Sequence, residues 1–457
     1  MSNPKLTCYG GVGSVTGANF MIEYGGKKVL VDCGLAQGSP EADAENHKPF
    51  AYDPAGIDIL LVTHGHLDHV GRIGKLVKDG FKGVIYSTSQ TFAIAQYIME
   101  DAVILLEKDA RQKGVLTIYD KEDVAKALTM WKTIEYHTPV MLYEGFSLYA
   151  KDAGHILGSS MFECSFTVEK GITKVVFTGD LGNSPSPLLR DTESIEGAEY
   201  LIMESVYGDR NHESKDERRA KLIKVIQDTF SRGGTLVIPA FSVERTQVLL
   251  YELNDVVESG AVPELPVYID SPLATKVTEV YRSNTHVFNE ETQKRIKGGD
   301  DVFAFPRLKF VANSKDSQSI DRNMDAKIII AGSGMSSGGR VRQHESAYLP
   351  EAKNTILLVG YQPLGTLGRL LQNGEKKVSI DGEKVPVRAH IEEIFGYSAH
   401  KDSDNLVKFV ATGASSLKKV FIAMGEPKSA LFLAQRLHDE IGISTVCPEK
   451  GVTYELI

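Results

Sequence analysis

Four cysteines in 457 residues are few, and they are scattered. Cys8, Cys33, Cys164 and Cys447 form no Cys-x-x-Cys pair. Disulfide frameworks need dense pairing in small secreted chains, so reduced thiols in a reducing compartment are expected. No segment approaches the roughly 18 consecutive apolar residues of a membrane span. The first ten residues lack a basic stretch followed by an apolar run, which argues against a secretory signal. Low-complexity tracts, internal repeats and appended tails are also missing. These absences lead to the expectation of a cytoplasmic protein with no membrane partner. Positive charge is short as well: 51 Lys and Arg against 60 Asp and Glu leave a net charge of −9. A protein that held nucleic acid by nonspecific charge would be basic. If the substrate is a polyanion, the site itself must supply positive charge, and metal ions can do that.

The rest of the composition is ordinary for a globular protein, with 42% hydrophobic and 24% charged residues. A single core stops growing at about 250–300 residues, so two domains are expected. The first third reads as short strands, at 7–9, 19–24, 27–32 and 57–63, with a glycine-paired hairpin turn at Gly25 and Gly26. A helix is expected over 87–108, then strands at 146–150, 161–166 and 174–177. From about Glu213 helix and strand alternate, which argues a parallel sheet flanked by helices and inserted into the first domain. From about Thr355 the texture returns to strands, followed by helices at 402–411 and 428–440 around a strand at 418–423. The expected division is 1–208, 209–355 and 356–457, the outer two forming one domain.

The strongest chemical signal is His64-Gly65-His66-Leu67-Asp68-His69. It follows a predicted strand, where side chains two positions apart point the same way. His64 and His66 can therefore grip one metal, while Asp68 and His69, at the turn into a helix, reach a second. Imidazole and carboxylate are ligands that zinc favours, and a catalytic site leaves a position open for water. Three histidines and an aspartate within six residues are hard to explain as an exposed polar loop. Two further candidates sit in strand-to-loop contexts: His155 in Asp-Ala-Gly-His-Ile-Leu-Gly, and Asp180 in Phe-Thr-Gly-Asp-Leu-Gly. Each alone reads as a turn or structural residue; beside the cluster both read as ligands, Asp180 as a carboxylate able to bridge two metals. Asp32, ending another apolar run, is either a turn residue or an orienter of a ligand histidine.

These segments, in this order, resemble the metallo-β-lactamase fold, an αββα sandwich with metals at one edge. Further segments narrow the resemblance. They are Glu204-Ser-Val-Tyr-Gly-Asp, Pro239-Ala-Phe-Ser-Val-Glu-Arg-Thr-Gln, Asp270-Ser-Pro-Leu-Ala and Gly332-Ser-Gly-Met-Ser-Ser-Gly-Gly-Arg340. Gly360-Tyr-Gln-Pro-Leu-Gly-Thr-Leu-Gly-Arg369 and Tyr397-Ser-Ala-His400 complete the set. Together they look like the β-CASP nucleases, an α/β group that includes the cleavage and polyadenylation specificity factor endonuclease and its prokaryotic relatives. The resemblance implies two zinc ions per chain. His64, His66 and His155 would hold one, Asp68 and His69 the other, with Asp180 between them. It also implies that Glu204 and His400 form a pair across a cleft between domains. One departure stands out. The family's His-Gly-Glu near the end is here Met424-Gly425-Glu426, and a neutral thioether suits zinc poorly. That departure bears on the second zinc, on RNA against DNA, and on activity; the plain alternative is that Met424 fills the core.

The implied activity is endonucleolytic cleavage of single-stranded RNA by a metal-activated hydroxide, with 5′→3′ exonucleolytic cleavage as an added expectation. Two metals about 3.5–4 Å apart would acidify the attacking water and neutralise the phosphoryl oxygens. Asp68 or Asp180 would accept the proton of that water. His400 would protonate the leaving oxygen, and Glu204 would fix its tautomer. Ser337, Arg340 and Arg369 lie in glycine-rich segments suited to phosphate oxyanions. Their alternative is loop turns with surface arginines. Competing expectations are a DNA nuclease, a catalytically weakened RNA-binding subunit, and a small-molecule hydrolase of the wider fold. A homodimer is compatible with the sequence, which names no interface.

Overall fold

The run Ile59–Leu61 is apolar and buried at every position, as a strand inside a covered parallel sheet must be. It is the middle of a local parallel set, flanked by Lys27–Val31 and Val84–Ser87. The computed structural model describes residues 3–323 and 325–457, which divide into two compact units.

The first unit comprises Met1–Ser186, Arg190–Asn211 and His400–Ile457. It contains two seven-stranded sheets. Along Tyr200–Met203, Tyr200 and Ile202 face the core between the sheets, while Leu201 and Met203 face a second cluster with helices Ser403–Ala411 and Pro427–Ile441. This is the period-two alternation of a strand covered on both sides. The inter-sheet core brings Phe20 and Tyr24 of one sheet against Phe177 and Phe166 of the other, with ring centroids 6.4 and 5.1 Å apart. Each such buried side chain contributes about 1.5–3 kcal/mol.

The architecture is the metallo-β-lactamase sandwich with an inserted α/β unit. Three parallel strands of the second sheet, Gly171–Phe177, Tyr200–Met203 and Lys419–Ile422, run in register. Their carboxyl ends therefore fall along one edge, and Asp180, Glu204 and Met424 emerge there. In the first sheet Lys27–Val31 and Ile59–Leu61 do the same for Asp32 and His64. Ligands of α/β proteins bind outside the carboxyl ends of parallel strands, and the histidine cluster lies at such an edge.

The second unit, Pro187–Leu189 with His212–Ala399, is built on a six-stranded, all-parallel sheet. Its boundary differs from the expected one. Thr355–Leu358 pairs with Leu236–Pro239, and His390–Glu393 pairs with Thr355–Leu358, so 356–399 belongs to this unit. The strand-like texture after Thr355 is real, but its partner is the inserted unit. Helix limits follow their caps. Lys215–Ser231 starts at a capping box of Ser214 and Glu217, and Ser89–Lys113 starts at Thr88. Helix Lys121–Thr129 and strand Trp131–Thr133 are short additions to the expected elements. Among the described residues no helix is long and apolar enough to cross a membrane, and all four cysteines are free thiols.

Candidate metal centre

His64 leaves the end of its strand fully buried, and His66 immediately precedes the one-turn helix Leu67–Val70, which carries Asp68 and His69. His64 Nε2 lies 3.1 Å from His66 Nδ1, and His155 Nε2 lies 3.2 Å from the same atom. Asp180 Oδ2 stands 3.5 Å from His64 Nε2 and 3.6 Å from His155 Nε2. Four ligands at about 2.0–2.1 Å from a tetrahedral zinc would be about 3.3–3.4 Å apart, so these separations suit one ion.

The second donor set shares Asp180. Its Oδ1 is 3.3 Å from His69 Nε2, which is 3.8 Å from Asp68 Oδ2. Asp180 Oδ1 and His69 Nε2 are buried, face each other, and make no hydrogen bond of acceptable geometry. Buried polar atoms are rarely left so, and a cation between them accounts for the arrangement. The residues present therefore fit a pair of divalent cations: His64, His66, His155 and Asp180 for one, Asp68, His69 and Asp180 for the other.

Asp32 stands behind His69. Its Oδ2 accepts from His69 Nδ1 at 2.8 Å and from Thr63 Oγ1 at 2.8 Å, and its Oδ1 accepts from the Thr63 amide at 2.8 Å. It is the orienter rather than a plain turn residue. Thr63, also 3.1 Å from His64 Nδ1, went unremarked in the sequence although it directly precedes the cluster. Gly179, at φ +54°, lets the Asp180 turn close over Thr63: a Cβ there would sit 2.7 Å from the Thr63 side chain.

Glu204, wholly buried, accepts from the Leu181 amide at 2.7 Å and contacts His400 Nδ1 at 3.0 and 3.2 Å through its two oxygens. The expected pairing across a cleft takes another form: both residues belong to the first unit. His400 Nδ1 is 4.0 Å from Asp180 Oδ2. Burial alone would lower the pKa of His400, but the negative charges of Glu204, Asp180 and Asp68 outweigh it and raise it to about 9. Burial raises Asp68 to about 6 and also raises Glu204.

Met424 is buried in the inter-sheet core at φ +43°. Its amide donates to Gly11 O at 2.7 Å, and its Sδ lies over Gly11, where a Cβ would approach to 2.4 Å. It lines a small cavity together with His69, Asp32 and Glu204. The thioether fills space beside the second donor set.

Ser337, Arg340 and Arg369 lie in the second unit. The loops carrying them touch: Gln362 Nε2 donates to Gly334 O at 3.0 Å, and the Gly368 amide donates to Met335 O at 3.3 Å. Ser337 is exposed. Arg369 Nε donates to Gln362 O at 2.6 Å, with its guanidinium 5.6 Å from the Tyr361 ring centroid. Arg340 is not a simple surface arginine. Its Nη1 donates to Asp270 Oδ1 at 2.5 Å, and its guanidinium also reaches the carbonyls of Val311 and Ala312 at 3.1 Å. Asp270 in turn accepts from His344 at 2.8 Å, and His344 contacts Asp321 at 2.7 Å.

Family models match the chain in three stretches: the metallo-beta-lactamase superfamily over 13–229, the Beta-Casp domain over 246–371, and the Zn-dependent metallo-hydrolase RNA specificity domain over 384–448. A protein named Ribonuclease TTHA0252 from Thermus thermophilus is 34% identical over 95% of this chain and 96% of its own length. Transcription termination factor FttA of Methanosarcina mazei is 30% identical over 96% of this chain and 70% of its own. A crystal structure of a protein of unknown function from Enterococcus faecalis superposes with a TM-score of 0.55 at 12% identity, covering all of both chains, which bears on the fold alone. The chain belongs to the β-CASP nucleases of the metallo-β-lactamase superfamily; membership makes it a nucleic-acid-cleaving hydrolase and implies divalent-metal binding.

Proposed function

We propose that the protein is a zinc-dependent ribonuclease that cleaves single-stranded RNA internally, with 5′→3′ trimming as a secondary activity. The observation that carries this is the meeting of two metal-binding donor sets at Asp180 with the Glu204–His400 pair directly beside it. A relative named as a ribonuclease, similar along nearly its whole length, and the RNA specificity model support RNA as the substrate.

Divalent cations, held by His64, His66, His155 and Asp180 and by Asp68, His69 and Asp180, would supply charge neutralisation on the phosphoryl oxygens and acidify water. Asp68, partly exposed beside the second donor set, is the carboxylate placed to take a proton from the attacking water. His400 gives a proton to the leaving 3′ oxygen; Glu204, engaged with Nδ1, assigns that role to Nε2. The products are a 5′-phosphate and a 3′-hydroxyl. Ser337 and Arg369 are the phosphate-contacting candidates of the second unit. Arg340 acts with them by holding its loop through Asp270.

The donor sets are unequal. One ion would have three imidazoles and a carboxylate; the other would have one imidazole, one carboxylate and the shared Asp180. That inequality favours a second reading in which weak retention of the second ion limits turnover. The test is elemental analysis of the purified protein with cleavage of labelled single-stranded RNA and single-stranded DNA. Zinc-dependent RNA cleavage with DNA left intact supports the proposal. Preferential DNA cleavage, or no cleavage after zinc or manganese is added, overturns it.

A further inference from the structure

The residue after His400 is a buried lysine. Lys401 is 5% exposed, and its ammonium carries three donors. Each finds an oxygen: Gly182 O at 2.7 Å, Thr192 Oγ1 at 2.8 Å and Ser184 Oγ at 3.2 Å. Its own amide donates to Leu181 O at 2.9 Å, and Gly182 pairs with His400 as an isolated antiparallel bridge. These acceptors are a carbonyl and two hydroxyls. The lysine is therefore held by directional hydrogen bonds more than by an ion pair, and burial lowers its pKa to about 8.

Each acceptor lies on, or is hydrogen-bonded to, a segment that carries part of the site. Gly182 is two residues past Asp180. Its amide donates to Ala153 O at 2.8 Å, two residues before His155, and Thr192 Oγ1 donates to the same carbonyl at 2.8 Å. Glu204 accepts from both the Leu181 amide and His400. The contacts close a ring: Lys401 to Gly182, Leu181 to Glu204, Glu204 to His400, and His400 back along the chain to Lys401. An apolar side chain would fill this volume without the desolvation cost of an ammonium. What the ammonium adds is direction.

We propose that Lys401 is a positioning residue that holds His400 at its proton-donating angle by tethering the neighbouring backbone to the Asp180 turn. Its ammonium is engaged by Gly182, Ser184 and Thr192, none of which belongs to either donor set. This rests on the reading of His400 as the proton donor.

The test exploits the leaving group. RNA expels an alkoxide that needs a proton, whereas bis(4-nitrophenyl) phosphate expels a phenolate that leaves without one. Wild type, Lys401→Met, Thr192→Val and His400→Ala are assayed on both substrates, with metal content measured for each. Lys401→Met is expected to lower kcat on RNA by about 100-fold, the scale of a catalytic group misplaced by about 1 Å. KM and metal content should hold within about twofold, and the aryl ester should lose less than about threefold. Thr192→Val removes one acceptor and should show a smaller loss of the same RNA-only kind; it carries the test if Lys401→Met does not fold. Equal losses on the two substrates, or losses that track metal content, overturn the proposal. If His400→Ala itself loses equally on both, the proton-donor reading fails and the proposal falls with it. If His400→Ala is RNA-selective and the Lys401 and Thr192 variants are not, only the role of Lys401 is lost.

Discussion

Asp32 holds His69 Nδ1 at 2.8 Å, and that contact turns Nε2 toward Asp180 Oδ1, 3.3 Å away. The carboxylate thus decides which nitrogen is presented to a cation. Such orienting partners are worth about 10–100-fold in metal affinity. Asp32→Ala should weaken zinc binding by that factor, read by competition with a coloured chelator. It should also destabilise the fold by on the order of 1–3 kcal/mol, because the Thr63 amide loses its buried acceptor. Unchanged affinity would remove Asp32 from the centre.

Zinc added to the metal-free protein should bind in two distinguishable steps. Asp68→Asn should abolish the weaker step alone, and His155→Ala should weaken the stronger, because each residue belongs to one donor set. Calorimetry resolves the steps. Two ions of equal affinity in wild type would contradict the inequality read from the ligands.

Glu204→Gln keeps an oxygen for the Leu181 amide and removes the charge facing His400. Turnover on RNA should fall by about 10²–10³, within the range of general acid catalysis, with metal content intact. Retention of full activity would show that His400 works without its partner.

His344 provides a pH test in the second unit. Burial alone would lower its pKa, but Asp270 and Asp321 outweigh it and raise it to about 9, above an unfolded value near 6.5. Its contribution to stability is therefore fully present below about pH 6.5 and lost as pH rises through about 9. The melting temperature should fall between pH 7 and 9.5, and His344→Gln should be less stable at pH 6 with a flatter profile above it. Parallel profiles for the two proteins would rule this out.

Gly179→Ala places a methyl group 2.7 Å from the Thr63 side chain at a φ of +54°. A loss of about 1–3 kcal/mol is expected from overpacking and strain, measured by denaturant unfolding. A neutral result would mean that the Thr63 shelf can yield.

The donor set was readable because its chemistry is dense and local. His64, His66, Asp68 and His69 fall within six residues after an apolar strand, and few other roles suit that pattern. His155 and Asp180 were weaker signals until joined to it. Arg340 shows where such reading runs out. A glycine-bounded arginine looks the same whether it awaits a phosphate or, as here, reaches 70 residues back to Asp270. The second unit's limit was misplaced for a related reason. The strand Thr355–Leu358 has the same composition whichever sheet it joins, and its partner, Leu236–Pro239, lies more than a hundred residues earlier.

Sequence alone determined many of the elements and the types of donor side chain, because strand alternation, helix caps and imidazole–carboxylate chemistry are properties of neighbours along the chain. Tertiary structure decided the rest. It set Asp32 behind His69, turned Met424 into the core over Gly11, and folded Lys401 under the Asp180 turn. Each of these depends on strands distant in sequence ending at one edge, a placement fixed by burying both faces of the sheets and not by any local preference.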